Sequence, residues 1–193
     1  SSDLDQWRAM GSAQLQALNS RQIAFLATDD LNALTTSQLQ ELTTTQLANL
    51  TSTQLAGLSS DQLQGLSSVQ IRGLTTAQLA SLGTDDLRAL TSDQFTQLTT
   101  SQVAGLTSTQ IGALESTDLA ALSSVQLRAI ASRDLAAFDS ADLAALTSGQ
   151  LGGFATQQMR GFDTADLVGL STDALQGLTS VQLTAMRSEE HTS

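Results

Sequence analysis

The stretch LTTSQLQELTTTQLANLTSTQLAGL, from Leu34 to Leu58, repeats one eight-residue word three times and begins a fourth. The same word continues without insertion or deletion from Met10 to Met186. We number its slots from one to eight. Slots one and six are apolar, slot three is Ser or Thr, slot five is Gln or Asp almost everywhere, and slot eight is small. So short an internal period predicts a repeat architecture in which identical units stack on one another.

The period of eight argues against one long helix and against a strand. Eight residues of α-helix overshoot two turns by about 80°, so an apolar seam with this period would wind off the helix. In a strand, slots one and six would point to opposite faces. The abundance of Leu, Ala, Gln and Arg in slots five to eight also favours helix over strand.

A short capped helix in each word fits the pattern best. Slot two is mostly Thr, Ser, Asp, Asn or Gly, which are the preferred N-cap residues, and the Gln or Asp three residues later resembles a capping box. Slots one and six are then the two positions of a hydrophobic staple. A glycine in slot eight, such as Gly57, is typical of a left-handed residue after a helix end. The constant hydroxyl of slot three is either the true cap or bonds the backbone of a neighbouring word, once per word.

Charge placement supports short helices independently. Every Asp occupies slot two, four or five. Five of the eight arginines occupy slot seven, namely Arg8, Arg72, Arg88, Arg128 and Arg160. Negative charge at a helix start and positive charge at its end is what the helix dipole favours.

These observations predict an all-α fold, an α-solenoid or superhelix of very short helices with one helix per word. A β-solenoid is the alternative. Helices this short are unstable alone and must stack. We expect two words per coil, with a three-word coil as the other possibility. Residues 1–9 are a degenerate N-terminal cap repeat, 10–185 are the solenoid, and 186–193 are a degenerate last repeat or a tail.

The composition excludes several functions. The net charge is −11 and every basic residue is Arg, which argues against nucleic acid and anionic membranes as partners. There is no Cys, so no disulfide or thiolate site is expected. No apolar run is long enough for a transmembrane helix or a signal peptide, and we expect no membrane insertion.

No residue pattern indicates catalysis. His191 is the single histidine and lies in the tail, so no Ser-His-Asp triad is available. The pairs Asp29–Asp30 and Asp85–Asp86 fall in slots four and five, where helix capping explains them. The slot-seven arginines are expected at solvent-exposed helix ends. We therefore predict no catalytic residue, no cofactor and no metal site, and we expect that the chain is not an enzyme.

Three resemblances extend this interpretation. Words such as LTTSQLQE, LTTTQLAN, LTTAQLAS and LTSTQIGA resemble octapeptide tracts of very large bacterial proteins. That resemblance covers the whole chain and implies a secreted or surface protein, with a cytoplasmic location as the alternative. Thr51 to Gly57 is similar to the S-T-Q-T-A-G words of ice-nucleation proteins, but Leu replaces a Thr and the Gly-Tyr-Gly part is missing. LSSVQLRAIAS resembles the first helix of effector-type DNA-binding repeats. The rest of that repeat is absent, so DNA binding is not carried over.

The sequence thus favours a non-catalytic structural module, a spacer, stalk or scaffold of a bacterial surface or secreted protein. A solenoid surface that binds proteins or peptides is the alternative, and an ice- or surface-binding β-solenoid is a less favoured one. End-to-end self-association is a further expectation for a repetitive solenoid.

Overall fold

A computed structural model of the chain describes residues 2–162, Asp166 and residues 169–187. The chain divides into two compact units, one ending at Gln97 and the other beginning at Leu98. Throughout the described ranges the regular structure is α-helix or 3-10 helix, and no strand is present there. The predicted all-α solenoid of short helices is confirmed. The β-solenoid alternative is wrong, and with it the ice-binding surface that depended on aligned strands.

One short helix forms in nearly every word, and it usually begins at slot three. In the first unit the α-helices are Ser2–Ala9, Ser12–Gln16, Ser20–Phe25, Thr28–Ala33, Thr36–Gln40, Thr44–Ala48, Ser52–Ala56, Ser60–Gln64, Ser68–Gly73, Thr76–Ala80, Thr84–Arg88 and Ser92–Gln97. In the second unit they are Thr100–Ala104, Ser108–Ile111, Ser116–Ala121, Ser124–Ala129, Ser140–Ala145, Ser148–Gly152, Thr172–Gln176 and Ser180–Arg187, with 3-10 helices at Ser132–Ala137 and Gln158–Gly161.

The slot-two residue is the N-cap, as predicted, and the slot-five Gln completes a capping box. Thr51 is extended (φ −67°, ψ 156°), and its Oγ1 accepts a hydrogen bond from the backbone N–H of Gln54. In return, Oε1 of Gln54 accepts from the backbone N–H of Thr51 at 2.8 Å. The alternative in which slot three supplies the cap is wrong, because slot three is the first residue of the helix.

The helices end without left-handed residues. Gly57 has φ −88° and ψ −5°, which is right-handed helical, and no described glycine has a positive φ. The predicted left-handed glycine is therefore wrong. Each helix is instead broken by two extended residues, slot one and slot two of the next word, as Leu74 (φ −66°, ψ 140°) and Thr75 (φ −74°, ψ 155°) show.

Slot-eight glycines serve close packing between coils. A Cβ added at Gly57 would overlap Cγ2 of Thr28, and one added at Gly73 would lie 2.8 Å from Cβ of Thr44. In both cases the neighbour is a slot-three residue of an earlier word. Glycine therefore lets the end of one helix approach the start of another.

The core is built from slots one and six of both units. Leu47, Leu55 and Leu63 in slot six are 0% exposed, and the slot-one leucines Leu50 and Leu58 are 3% exposed. In the second unit, Phe138, Phe154 and Phe162 replace slot-one leucines, as the sequence indicated. The ring centroids of Phe154 and Phe162 are 5.5 Å apart, and those of Phe138 and Phe162 are 6.3 Å apart.

Stacked helices lie three words apart, so the predicted two-word coil is wrong. In the first unit Thr44–Ala48 packs on Ser68–Gly73, and in the second unit Thr100–Ala104 packs on Ser124–Ala129. Side-chain hydrogen bonds between coils join residues 25 to 31 positions apart, and 28 lies in the middle of this range. The middle value corresponds to about three and a half words per coil, a number that the local pattern of one word does not determine.

Both described ends of the chain are helical. Residues 2–9 of the predicted cap repeat form a helix, Ser2–Ala9. The predicted boundary between 185 and 186 falls inside the helix Ser180–Arg187. Residues 188–193, which include His191, lie outside the described residues.

The contact between coils as candidate functional site

The most repeated polar feature of the structure is the slot-five Gln, which joins one coil to the preceding one. Gln62 is 5% exposed. Its Oε1 accepts from the N-cap N–H of Ser59 at 2.9 Å. Its Nε2 donates to the carbonyl of Leu31 at 3.1 Å and to that of Leu34 at 2.9 Å. One side chain thus caps its own helix and ties it to the preceding coil.

The same bridge recurs along both units. The Nε2 donates to a slot-six and a slot-one carbonyl of the preceding coil from Gln38, Gln46, Gln54, Gln62, Gln70, Gln78 and Gln94 in the first unit, and from Gln158 and Gln182 in the second. Gln126 and Gln150 donate to the slot-one carbonyl. The slot-six carbonyl also accepts from a backbone N–H, as Leu31 does from Leu34 at 3.1 Å. The bond to the slot-one carbonyl, such as that of Leu34, therefore pairs a helix-end acceptor for which the described residues show no backbone donor.

At two slot-five positions where Asp replaces Gln, Asp134 and Asp142, the bond between coils has the opposite direction. Asp142 accepts from Oγ of Ser116 at 2.7 Å and, through its other oxygen, from the N-cap N–H of Asp139 at 3.1 Å. Asp134 likewise accepts from Oγ of Ser108. The donors are slot-three serines of an earlier coil. In these two words the slot-three hydroxyl therefore bonds a side chain of a later coil, and not the backbone of a neighbouring word.

The aspartate pairs sit in the first turns of their helices. Asp30 accepts from the backbone N–H of Ala27 at 3.3 Å, as a residue in the third helical position should. Asp85 is 96% exposed and lies 4.0 Å from Arg88 within the same helix. Capping accounts for the contact of Asp30, whereas the contact of Asp85 with Arg88 is an ion pair within one helix. Within the described residues, no three His, Cys, Asp or Glu side chains come together as a potential metal-binding group.

The variable slots face solvent. Arg72, Arg88, Arg128 and Arg160 of slot seven are exposed, as expected. In slot four, three exposed valines stand out among polar neighbours: Val69 (67% exposed), Val125 (64%) and Val181 (62%). Single exposed valines are ordinary on a protein surface, and they do not form a patch by themselves.

Open grooves run between helices of successive coils. In the first unit one is lined by Thr28, Ser52, Thr53 and Gly57, and in the second unit another is lined by Thr156, Arg160 and Val181. Both lie between slot-seven or slot-eight residues of one helix and slot-three or slot-four residues of another. Among the described helices, none has the length and apolar character needed to span a bilayer.

A longer period was missed in the sequence and becomes visible through the coil geometry. Some residues that depart from the common word recur seven words apart. Asp29–Asp30 recurs as Asp85–Asp86, and Val69 recurs as Val125 and Val181, always 56 residues on. Seven words are two coils at three and a half words each. Because seven words are not a whole number of two-word coils, this recurrence is a sequence signal against the two-word coil.

Comparison with known families agrees with the repeat architecture. The ALTTAQ repeat family matches the chain in five overlapping segments, residues 3–36, 23–60, 56–85, 79–115 and 111–147. Each matched segment holds roughly four words, close to the length of one coil. No curated protein is significantly similar to the chain.

Proposed function

The chain belongs to the ALTTAQ repeat family, and from this premise we propose that it is a non-catalytic structural module, a spacer, stalk or scaffold. The observation that carries the proposal is how the constant residues are used. Slots one and six form the core, slot two and slot five cap the helices, and slot five also joins the coils. The recurring residues of the word thus stabilise the solenoid itself.

A secreted or surface location on a bacterium is part of the same proposal. It rests on the resemblance of the words to tracts of large bacterial proteins and on the acidic composition. A net charge of −11 supports solubility and opposes side-by-side sticking of solenoids. An epitope tag on the chain, expressed in its source organism, should be removed by protease added to intact cells. A tag that is cleaved only after lysis would refute the surface location.

A spacer should change length in fixed steps, which a distance measurement tests. Duplicating residues 34–89 adds seven words, or two coils, without changing the phase of the repeat. Because packed helices lie about 8–10 Å apart, two added coils should increase by roughly 20 Å the distance between two fluorophores placed within the first unit, one before and one after the insertion. The width of the distance distribution should stay narrow. A broadened distribution that grows as the square root of length would indicate a flexible linker instead.

Protein or peptide binding along the surface is the second candidate. The observation that favours it is the exposed Val69, Val125 and Val181 at equal sequence intervals, since solenoids commonly bind partners along extended surfaces. In a pull-down from the source organism, a partner retained by the native chain and lost by Val125→Ser with Val181→Ser would favour this function. Equal recovery with both chains would count against it.

A further inference from the structure

The charged residues of the second unit lie mostly in different stacks of helices according to their sign. The helices Ser116–Ala121 and Ser140–Ala145 pack on each other, and the acidic residues in or next to them are Glu115, Asp118, Asp139 and Asp142. The helices Ser132–Ala137 and Gln158–Gly161 also pack on each other, and they contain Arg133 and Arg160. A third arginine, Arg128, lies in Ser124–Ala129. The arginines and most acidic residues are therefore separated within this unit.

The backbone segments that carry the three arginines lie against one another, and all three side chains are exposed: Arg128, Arg133 and Arg160. Nε2 of Gln158, two residues before Arg160, donates at 3.1 Å to the carbonyl of Leu127, which directly precedes the first of these arginines. A Cβ added at Gly161 would lie 2.7 Å from the carbonyl oxygen of Ser132, which directly precedes the second. Words far apart in sequence thus place their arginines together on two successive coils.

The charge of these arginines is only partly neutralised by the fold. Nε of Arg133 lies 3.5 Å from Oδ1 of the buried Asp134, although the arginine side chain itself is 82% exposed. Within the described residues, the side chains of Arg128 and Arg160 make no ion pair and no hydrogen bond. Three guanidinium groups and one carboxylate leave an excess of positive charge here, in a chain whose net charge is −11.

The two exposed valines of the second unit lie beside these arginines. Val125 is 64% exposed and precedes Arg128 by three residues in the same helix, so the two side chains share one helix face. Val181 is 62% exposed and lines an open groove together with Arg160 and Thr156. An exposed valine is ordinary by itself, but here both adjoin guanidinium groups that have no partner in the described residues. The result is one surface that is both cationic and apolar.

We propose that this arginine surface, formed by Val125, Arg128, Arg133, Arg160 and Val181, binds a protein segment that carries carboxylates beside an apolar side chain. The proposal rests on the binding function, which is the second candidate above. A guanidinium group binds a carboxylate through two parallel hydrogen bonds, and arginine is enriched at protein interfaces. The valines distinguish a protein from a purely anionic polymer, because a polymer without apolar side chains leaves them in water.

Selection of short random peptides displayed on phage, with the immobilised full chain as target, tests the proposal. We expect the recovered peptides to be enriched in Asp and Glu next to Leu, Ile, Val or Phe. Their affinity should fall at high salt, since salt screens exposed charges. Recovery of no peptide, or of peptides without acidic residues, would overturn the proposal. Binding of heparin or RNA by a chain that recovers no peptide would overturn it as well.

A charge-matched pair of variants locates the binding. Arg128→Gln with Arg160→Gln should weaken binding of a recovered peptide by about 100-fold, or tenfold for each arginine, and leave the circular dichroism spectrum unchanged. The control is Arg72→Gln with Arg88→Gln. These two arginines also occupy slot seven and are exposed, but they belong to the first unit. The control should bind like the native chain, and an equal loss in both variants would overturn the proposal.

Replacing the valines separates this proposal from the broader binding function. Val125→Ser with Val181→Ser should weaken the same peptide by about tenfold, because the apolar contact is lost and the arginines remain. Peptide binding that depends on the valines and not on the arginines would overturn the arginine surface but keep the binding function. Peptide binding that neither pair of changes affects would overturn both.

Discussion

Replacing Gln62 by Glu separates the helix cap from the bond between coils. The introduced carboxylate can still accept from the N–H of Ser59, but it cannot donate to the carbonyls of Leu31 and Leu34, which it now faces. Two net hydrogen bonds contribute about 0.5–1.5 kcal/mol each, and a buried acceptor left unpaired adds a further cost. We therefore expect the free energy of unfolding to fall by about 2–4 kcal/mol at neutral pH.

Gln22→Glu is the matched control for this change. Gln22 makes the same capping contact with Asn19, but its Nε2 reaches no acceptor in the described residues. Its replacement should change the free energy of unfolding by less than about 0.5 kcal/mol. The assay is urea unfolding followed by far-ultraviolet circular dichroism at low protein concentration. Acid should reduce the difference in the free energy of unfolding between the native chain and Gln62→Glu. The reason is that the introduced carboxyl regains a donor when it is protonated, below about pH 4. Equal losses in both variants would refute a stabilising role for the bond between coils.

The remaining predictions concern caps, glycines, aromatic packing and secondary structure. Gly65→Ala should cost about 1–3 kcal/mol because the added Cβ overlaps Cγ2 of Thr36, and adding Thr36→Ser should recover part of that loss in thermal melts. Gly149→Ala is the open-space counterpart, with nothing within 4 Å of the added Cβ, and should stabilise by up to about 1 kcal/mol; a loss there would contradict the packing argument. Thr51→Ala removes an N-cap and should cost about 0.5–2 kcal/mol, whereas Thr51→Ser should be nearly neutral in the same urea assay. Phe162→Ala should cost about 3–5 kcal/mol, measured by calorimetry. The native chain should give a helical circular dichroism spectrum in plain buffer, and a β spectrum would refute the fold.

The sequence predicts well the features that depend only on residues within one word. Thr51 and Gln54 are three residues apart, so their mutual capping follows from local geometry, and so do the buried slots one and six. The second role of Gln54, donation to carbonyls of Ile23 and Leu26, is not visible locally because the partners lie about one coil earlier in the chain.

The wrong predictions share that cause. A glycine at a helix end ordinarily indicates a left-handed cap, but Gly57 is small because Thr28 packs against it from another coil. The two-word coil was chosen by analogy with other α-solenoids, and nothing inside a single word opposes it. Only comparison between distant words carries that information, as the recurrence of Asp29–Asp30 at Asp85–Asp86 shows.

Because a coil holds about three and a half words, the extended links between words are staggered from one coil to the next within each unit. The extended link between two words does not lie over the corresponding link of the adjacent coil but over the body of a helix. Gln46 shows the arrangement, because it reaches the carbonyl of Leu15 near the end of one helix and the carbonyl of Leu18 in the link that follows it. A chain cut once at a link would therefore still be spanned by unbroken helices above and below it. A cut at one link therefore does not line up with a link in the neighbouring coils of the same unit.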